Sequence, residues 1–149
     1  MATIARVPLA LVAGALLIGA CKKAAPPVPP PAEPAPAAVA FHVTGIEVGK
    51  SIMADKMIAN ATNDFGPRDT IYVSVATEGA ATSATIAARF TFETGQLVDE
   101  STQNIAPTGP AHTEFHISKP SGWPAGKYKV EITLNAVSAG TKEFEVKKG

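Results

Sequence analysis

Hydrophobic residues follow three different patterns along this chain of 149 residues. Residues 7–20 form a run of 14 positions without a charged side chain. Residues 24–40 contain seven prolines and seven alanines. From residue 41 onward, apolar and polar residues alternate with a period of two, which is typical of half-buried β-strands. The chain is therefore predicted to consist of an apolar N-terminal segment, a linker over residues 21–40 and one all-β domain over residues 41–149.

The alternation is clearest over residues 128–135, where Tyr128, Val130 and Ile132 share one face of a predicted strand. Further strands are predicted over residues 41–48, 70–77, 83–92, 97–105, 113–118 and 141–147. The alternation changes phase at Gly45, which predicts a bulge where the first strand changes sheets. About seven short strands separated by turn sequences predict an antiparallel sandwich.

Two connecting segments of this domain have weaker patterns. Residues 51–64 fit either a short helical turn, with Met53, Met57 and Ile58 on one side, or a long irregular loop. Residues 136–140 are predicted to form a short hairpin loop between the last two strands.

The apolar run at residues 7–20 is shorter than the roughly 20 residues that a membrane-spanning helix needs. Arg6 precedes the run, and the combination is typical of a secretory signal. The run ends in the sequence I-G-A-C at residues 18–21, which resembles the lipobox of bacterial lipoproteins. The resemblance implies that residues 1–20 are a signal peptide that is removed, and that Cys21 carries a covalent lipid.

A lipid on Cys21 implies a protein anchored in the cell envelope. Lys22 stands where lipoproteins retained in the inner membrane often have aspartate, so the resemblance favours the outer membrane, facing the periplasm.

The prolines of the linker favour the polyproline II conformation, and residues 24–40 would span roughly 50 Å when extended. We expect this disordered linker to act as a semi-rigid spacer. Recognition of its P-x-x-P sequence at residues 27–30 by a partner is the alternative.

The sequence W-P-A-G-K-Y-K-V at residues 123–130 resembles the entry to strand F of immunoglobulin-like domains. In that family the tyrosine, here Tyr128, hydrogen-bonds back to the preceding turn as a tyrosine corner. Val130 would occupy the position of the second disulfide cysteine, and Phe90 that of the strand-C tryptophan. The resemblance implies an immunoglobulin-like sandwich whose core is packed by aliphatic residues instead of a disulfide.

Charge and side-chain chemistry restrict the function classes. The 13 basic and 13 acidic residues balance, which argues against a nucleic-acid partner. His112, Glu114 and His116 alternate on one predicted strand face and are weak candidates for a metal site; a solvated outer face is the favoured interpretation. No nucleophile motif is present, so we expect neither an enzyme nor a cofactor other than the lipid.

Two aromatic residues are candidate partner contacts. Trp123 lies in a turn, where it is expected to cover the open end of the sandwich or, alternatively, to form an exposed anchor for a partner. Tyr72 is predicted on an outer strand face.

The sequence thus predicts a lipid-anchored, non-catalytic module for protein interaction or envelope assembly. The alternative is a carrier or sensor that binds a metal or holds a small ligand between the loops at residues 51–64 and 106–111.

Overall fold

The computed structural model describes residues 40–149 of the chain. They form eight strands: β1 (His42–Gly49), β2 (Asp64–Phe65), β3 (Ile71–Glu78), β4 (Ala84–Phe92), β5 (Gln96–Ile105), β6 (Ala111–Ile117), β7 (Gly126–Leu134) and β8 (Val137–Val146). The predicted signal peptide, the predicted lipidation site Cys21 and nearly all of the predicted linker lie outside the described residues. Within residues 40–149 there is no helix of the length and hydropathy needed to cross a membrane.

The strands form two sheets, one with the order β1-β3-β6 and one with the order β2-β8-β7-β4-β5. Neighbouring strands are antiparallel, except that the two-residue strand β2 pairs in parallel with β8. The predicted all-β immunoglobulin-like sandwich is confirmed. The described strands number eight instead of about seven, because two residues are too few for β2 to show an alternating pattern.

Alternating side chains from both sheets fill the space between them, as the period-two pattern predicts. Phe90 and Val130 are fully buried on neighbouring strands of one sheet, and Val73 is fully buried in the other. Phe90 and Val130 occupy the positions that the immunoglobulin resemblance assigned to the strand-C tryptophan and the second cysteine. Apolar packing therefore holds the sheets together at the point where antibody domains have a disulfide.

The first strand contains the predicted irregularity but does not change sheets. The register of β1 against β3 shifts between Val43 and Gly45, which confirms the bulge. On both sides of this shift β1 continues to pair with β3, so the predicted change of sheet within β1 is wrong. The chain crosses to the other sheet later, at β2, and a bulge alone accounts for the change of phase in β1.

The predicted hairpin loop at residues 136–140 is wrong, because the turn is shorter. Asn135 and Ala136 form a two-residue turn with φ values of 51° and 66°. Strand β8 begins directly afterwards at Val137. A bulge between Ile132 and Thr133 in the β7–β8 register accommodates one extra residue, Ala139, in β8.

The segment after β1 is a protruding hairpin, which we call the Met finger (residues 50–60). Three cross-strand backbone hydrogen bonds hold it: Lys50 N to Asn60 O at 3.1 Å, Ala59 N to Ser51 O at 3.0 Å, and Met53 N to Met57 O at 2.8 Å. It is therefore neither the short helical turn nor the irregular loop that the sequence allowed. The pairing of its backbone groups satisfies donors and acceptors that an irregular loop would leave to water.

Candidate interaction surface

The sandwich has two ends, which are defined by the strands that begin and finish there. At one end, which we call the Ala40 end, the chain enters through a bridge between Ala40 and Ala80, and the β7–β8 turn lies nearby. At the opposite end, which we call the Trp123 end, β3 and β7 begin and β6 finishes. Each predicted site residue can be placed relative to these two ends.

Tyr128 forms the predicted tyrosine corner at the Trp123 end. Its hydroxyl donates a hydrogen bond to the carbonyl oxygen of Pro124 at 2.9 Å. The ring stacks on Phe144, with 5.5 Å between centroids and an interplanar angle of 10°. Burial raises the pKa of the Tyr128 phenol, and the negative charge of Glu93 raises it further. The corner therefore fixes the β6–β7 connection to the core.

Gly126 is required where this connection enters β7. Its φ is 149°, a conformation that residues with a side chain rarely adopt. A Cβ atom at this position would overlap Phe92 and the carboxylate of Glu93. The same carboxylate accepts a hydrogen bond from Lys127 N at 3.1 Å. Close backbone approach here allows Phe92 to pack against Tyr128, with 4.8 Å between ring centroids.

Trp123 is 7% exposed and belongs to the hydrophobic core. Its indole N–H donates to the carbonyl oxygen of Asp69 at 3.0 Å, and its backbone N–H donates to that of Pro67 at 2.6 Å. The structure therefore places Trp123 as a cover for the end of the sandwich. An exposed aromatic anchor, the alternative drawn from the sequence, does not fit this burial. Lys119 Nζ lies 5.8 Å from the centre of the indole ring.

Asp69 organises the turn that receives the indole. Its carboxylate accepts a hydrogen bond from Gly66 N at 2.7 Å and forms an ion pair with Lys50 at 2.7 Å. The hydrogen bond from Lys50 is the main cause of a lowered pKa of the Asp69 carboxyl, and the hydrogen bond from Gly66 N lowers this pKa further. The ion pair also links this turn to the base of the Met finger, so the loops of the Trp123 end support one another.

His112, Glu114 and His116 share the outer face of β6, as predicted, but they do not converge. His112 Nδ1 lies 3.2 Å from Ser74 Oγ, whereas His116 Nδ1 lies 2.6 Å from Glu114 Oε1. Because four residues of a strand span about 13 Å, the two imidazoles are too far apart to share one ion. Among residues 40–149 no group of three or more His, Cys, Asp or Glu side chains is arranged to hold a metal.

Tyr72 lies on the same outer face, opposite His116 in the β3–β6 register. The two rings are 5.5 Å apart between centroids. Tyr72 is half-buried, so part of its ring faces solvent beside the exposed imidazole. The predicted outward orientation is therefore found, and the pair forms an aromatic patch next to the Trp123 end.

A cleft of about 510 Å³ opens at the Trp123 end, bordered by the start of β5 and the end of β6. These are edge strands of the two sheets. The exposed side chains that line the cleft include Leu97, Asp99, His116 and Lys119. The buried rings of Trp123 and Tyr128 form its inner wall. The exposed part of this cleft combines one apolar side chain, Leu97, with groups of both charges.

The loops that the sequence proposed as a ligand grip lie at opposite ends of the sandwich. Gly49, which precedes residues 51–64, pairs with Tyr72 at the start of β3. Ala111, the last residue of the predicted loop at residues 106–111, pairs with Thr77 near the end of β3. Tyr72 and Thr77 are five positions apart along β3, which corresponds to roughly 17 Å. The prediction of a ligand held between these loops is therefore wrong.

Most residues of the cleft carry no signal in the sequence. Leu97 and Asp99 come from β5, whereas His116 and Lys119 come from β6 and the turn that follows it. The two edge strands meet only because their sheets pack face to face. Gln103 also connects them, donating from Nε2 to the carbonyl oxygen of Glu114 at 2.6 Å. The sequence pattern predicts the strands β5 and β6 individually, but it does not predict the cleft between them.

Comparison with known proteins finds no matching family model and no matching curated protein. Among solved structures, an immunoglobulin-like protein from Pseudomonas aeruginosa is 14% identical, with 75% of this chain and 100% of that chain covered and a TM-score of 0.48. The CARDB domain of a Pyrococcus furiosus protein, solved with di-metal ions, is 13% identical, with 73% and 87% covered and a TM-score of 0.44.

An alkylpurine DNA glycosylase from Pseudomonas fluorescens, solved bound to DNA, is 15% identical with a TM-score of 0.48. The alignment covers 72% of this chain and only 30% of the glycosylase, so this chain spans less than a third of that enzyme. At these identities the similarities concern the fold alone. They give no argument for a metal, a nucleic acid or a reaction in this protein.

Proposed function

We propose that this protein is a non-catalytic lipoprotein of the bacterial cell envelope that presents its immunoglobulin-like domain to a protein partner. The observation that carries the proposal is the separation of the two ends of the domain. The chain enters at the Ala40 end, whereas the cleft beside Leu97 opens at the Trp123 end. A linker attached at one end leaves the opposite end available for contact.

The proposed anchor is the lipid on Cys21. Each buried methylene contributes about 0.8 kcal/mol to membrane affinity, and a single acyl chain binds only marginally. The three acyl chains of mature lipoproteins would therefore hold the protein firmly. Lys22 and Lys23 would add about 1 kcal/mol each near an anionic surface. We assign the protein to the outer membrane, facing the periplasm, on the basis of Lys22.

The partner surface that we propose is the rim of the cleft. Leu97 is 51% exposed and supplies an apolar contact, while Asp99 and Lys119 supply opposite charges beside it. An apolar centre with a polar rim is the usual composition of a protein interface. Among the described strands, β5 has no pairing partner on its outer edge, which therefore offers backbone groups to an extended segment of a partner. Tyr72 and His116 extend this surface along the outer face of the smaller sheet.

Anchoring is tested by metabolic labelling with a fatty acid in a bacterial host that processes lipoproteins. We expect the label in the wild-type protein and its loss in Cys21→Ser, together with release from the membrane fraction. A double variant with Cys21→Ser and Thr82→Cys restores a thiol at an exposed position of the domain, and it should remain unlabelled. Lipid on Cys21→Ser, or none on the wild-type protein, would contradict the anchor.

The volume of the cleft favours one second candidate function, binding of a small ligand. At about 510 Å³ the cleft falls within the range of roughly 300–1,000 Å³ that is usual for ligand sites. A ligand that binds the folded state raises its melting temperature. In a thermal-shift screen such a compound should stabilise the wild-type protein, and Lys119→Ala should reduce the effect if the ligand occupies the cleft.

A further inference from the structure

The tip of the Met finger brings two methionines together. Met53 N donates to Met57 O at 2.8 Å, and Lys56 N donates to Met53 O at 3.0 Å, so the two methionines face each other across a tight turn. Residues that are paired in this way project to the same side of a hairpin, with Cβ atoms about 4.5–5.5 Å apart. The two thioether groups therefore share one side of the finger.

The finger holds this pair outside the hydrophobic core. Ile52 and Ile58 form the adjacent bridge and project to the other side, where Ile58 is 9% exposed. Met53 and Met57, in contrast, are 44% and 39% exposed. Burial of the isoleucine side thus fixes which side of the finger faces solvent, and the two methionines belong to that side.

The backbone of the tip is also fixed. Asp55 accepts a hydrogen bond from Met57 N through Oδ1 at 3.0 Å, and Lys56 has a φ of 66°. The carboxylate and the ammonium at the tip balance in formal charge, so neither sign dominates beside the sulfur atoms. At the base, the Lys50–Asp69 ion pair ties the finger to the Trp123 end. The flexible side chains of Met53 and Met57 thus extend from a turn whose backbone is held by hydrogen bonds.

We propose that Met53 and Met57 form a two-thioether binding site for a soft monovalent cation, Cu(I) or Ag(I). Thioether sulfur is a soft ligand that selects Cu(I) over the hard cations bound by carboxylates. Both d¹⁰ ions accept linear coordination by two donors, so a pair of methionines completes a site. The unbranched methionine side chain has three rotatable bonds, which lets both sulfur atoms adjust to one ion.

The site is tested by titrating silver nitrate into the full chain and following the ¹³C signals of the methionine methyl groups. Every sample carries Cys21→Ser, so that no thiol competes, and is kept in detergent micelles without chloride. The chain has three methionines, of which Met1 serves as the reference signal. We expect the methyl signals of Met53 and Met57 to shift together and to saturate at one Ag(I) per chain.

Met53→Leu and Met57→Leu keep an apolar side chain of similar volume and should each weaken binding by at least tenfold. Unchanged amide spectra will verify the fold of each variant. Adding Leu97→Met to Met53→Leu restores the number of methionines without the pair, and binding should stay weak. The proposal is overturned if the methyl signals do not shift, if either leucine variant binds within threefold of the parent, or if Leu97→Met restores binding.

Discussion

The hydroxyl of Tyr128 shows how one side chain fixes the Trp123 end. It is bonded to Pro124, while its ring lies between Phe92 and Phe144 in the core. A buried phenol that kept no partner would lose hydration without compensation. The bond to the turn satisfies it and also positions the adjacent Trp123. Sequence alone predicted this corner, because the tyrosine lies two residues into its strand after a proline- and glycine-containing turn.

Tyr128→Phe tests the corner. Loss of the bond to Pro124 should lower the free energy of unfolding by about 0.5–1.5 kcal/mol at neutral pH. The raised pKa of Tyr128 gives a stabilisation that is complete below the unfolded pKa, about 10, and is lost as the pH rises through the folded pKa. The difference in stability between wild type and variant should therefore shrink in alkali.

Urea unfolding between pH 7 and pH 11 provides the measurement, and Tyr72→Phe, on the solvent side of β3, is the matched control. Tyr72→Phe should change the free energy of unfolding less than Tyr128→Phe at neutral pH. Equal effects of the two variants, or a difference for Tyr128→Phe that grows above pH 10, would contradict this description of the corner.

At the scale of elements, the β7–β8 hairpin depends on an unusual turn. Asn135 and Ala136 both adopt left-handed φ values, as two-residue hairpin turns of type I′ require. Asparagine suits this conformation, and its Oδ1 accepts a hydrogen bond from Thr85 N at 2.9 Å. Alanine at the second position is strained, because glycine is the residue that this turn type prefers.

Ala136→Gly should therefore stabilise the domain. Relief of the left-handed strain outweighs the added freedom of the unfolded chain, and a net gain of about 0.5–1 kcal/mol is expected. Ala139→Gly in the same hairpin is the control and should destabilise, because Ala139 packs against the core and has no positive φ. Equilibrium denaturation measures both, and a loss of stability in Ala136→Gly would contradict the strain argument.

The same hairpin shows what the sequence could reveal about the elements. Alternation located seven strands to within a few residues, because most of these strands have one buried face. It missed the onset of β8, since Ala136 at a glycine-type position conceals the turn. Alternation also missed the Met finger. There the pairing of Met53 with Met57 depends on the geometry of the turn between them, and the alternation of apolar and polar residues does not reveal that geometry. The cleft could not be predicted from the sequence, because it depends on how the edge strands β5 and β6 approach each other in space.

At the scale of the whole molecule, the direction in which the chain enters the sandwich is the central feature. Ala40 and the exposed Val137 lie at one end, whereas Leu97 and the cleft lie at the other. In the proposed lipoprotein the linker joins the first of these ends to Cys21. Any contact made at the other end would then occur away from the point of attachment, and the length of the linker would set its reach.

Site-specific photo-crosslinking in intact cells tests this account most directly. The photoreactive residue p-benzoylphenylalanine replaces either Leu97, 51% exposed at the cleft, or Val137, 69% exposed at the Ala40 end. We predict a discrete adduct with one envelope protein from position 97, its absence from position 137, and its loss in the Cys21→Ser background. An adduct from position 137 alone, equal adducts from both positions, or no adduct from position 97 would contradict the proposed presentation of the Trp123 end.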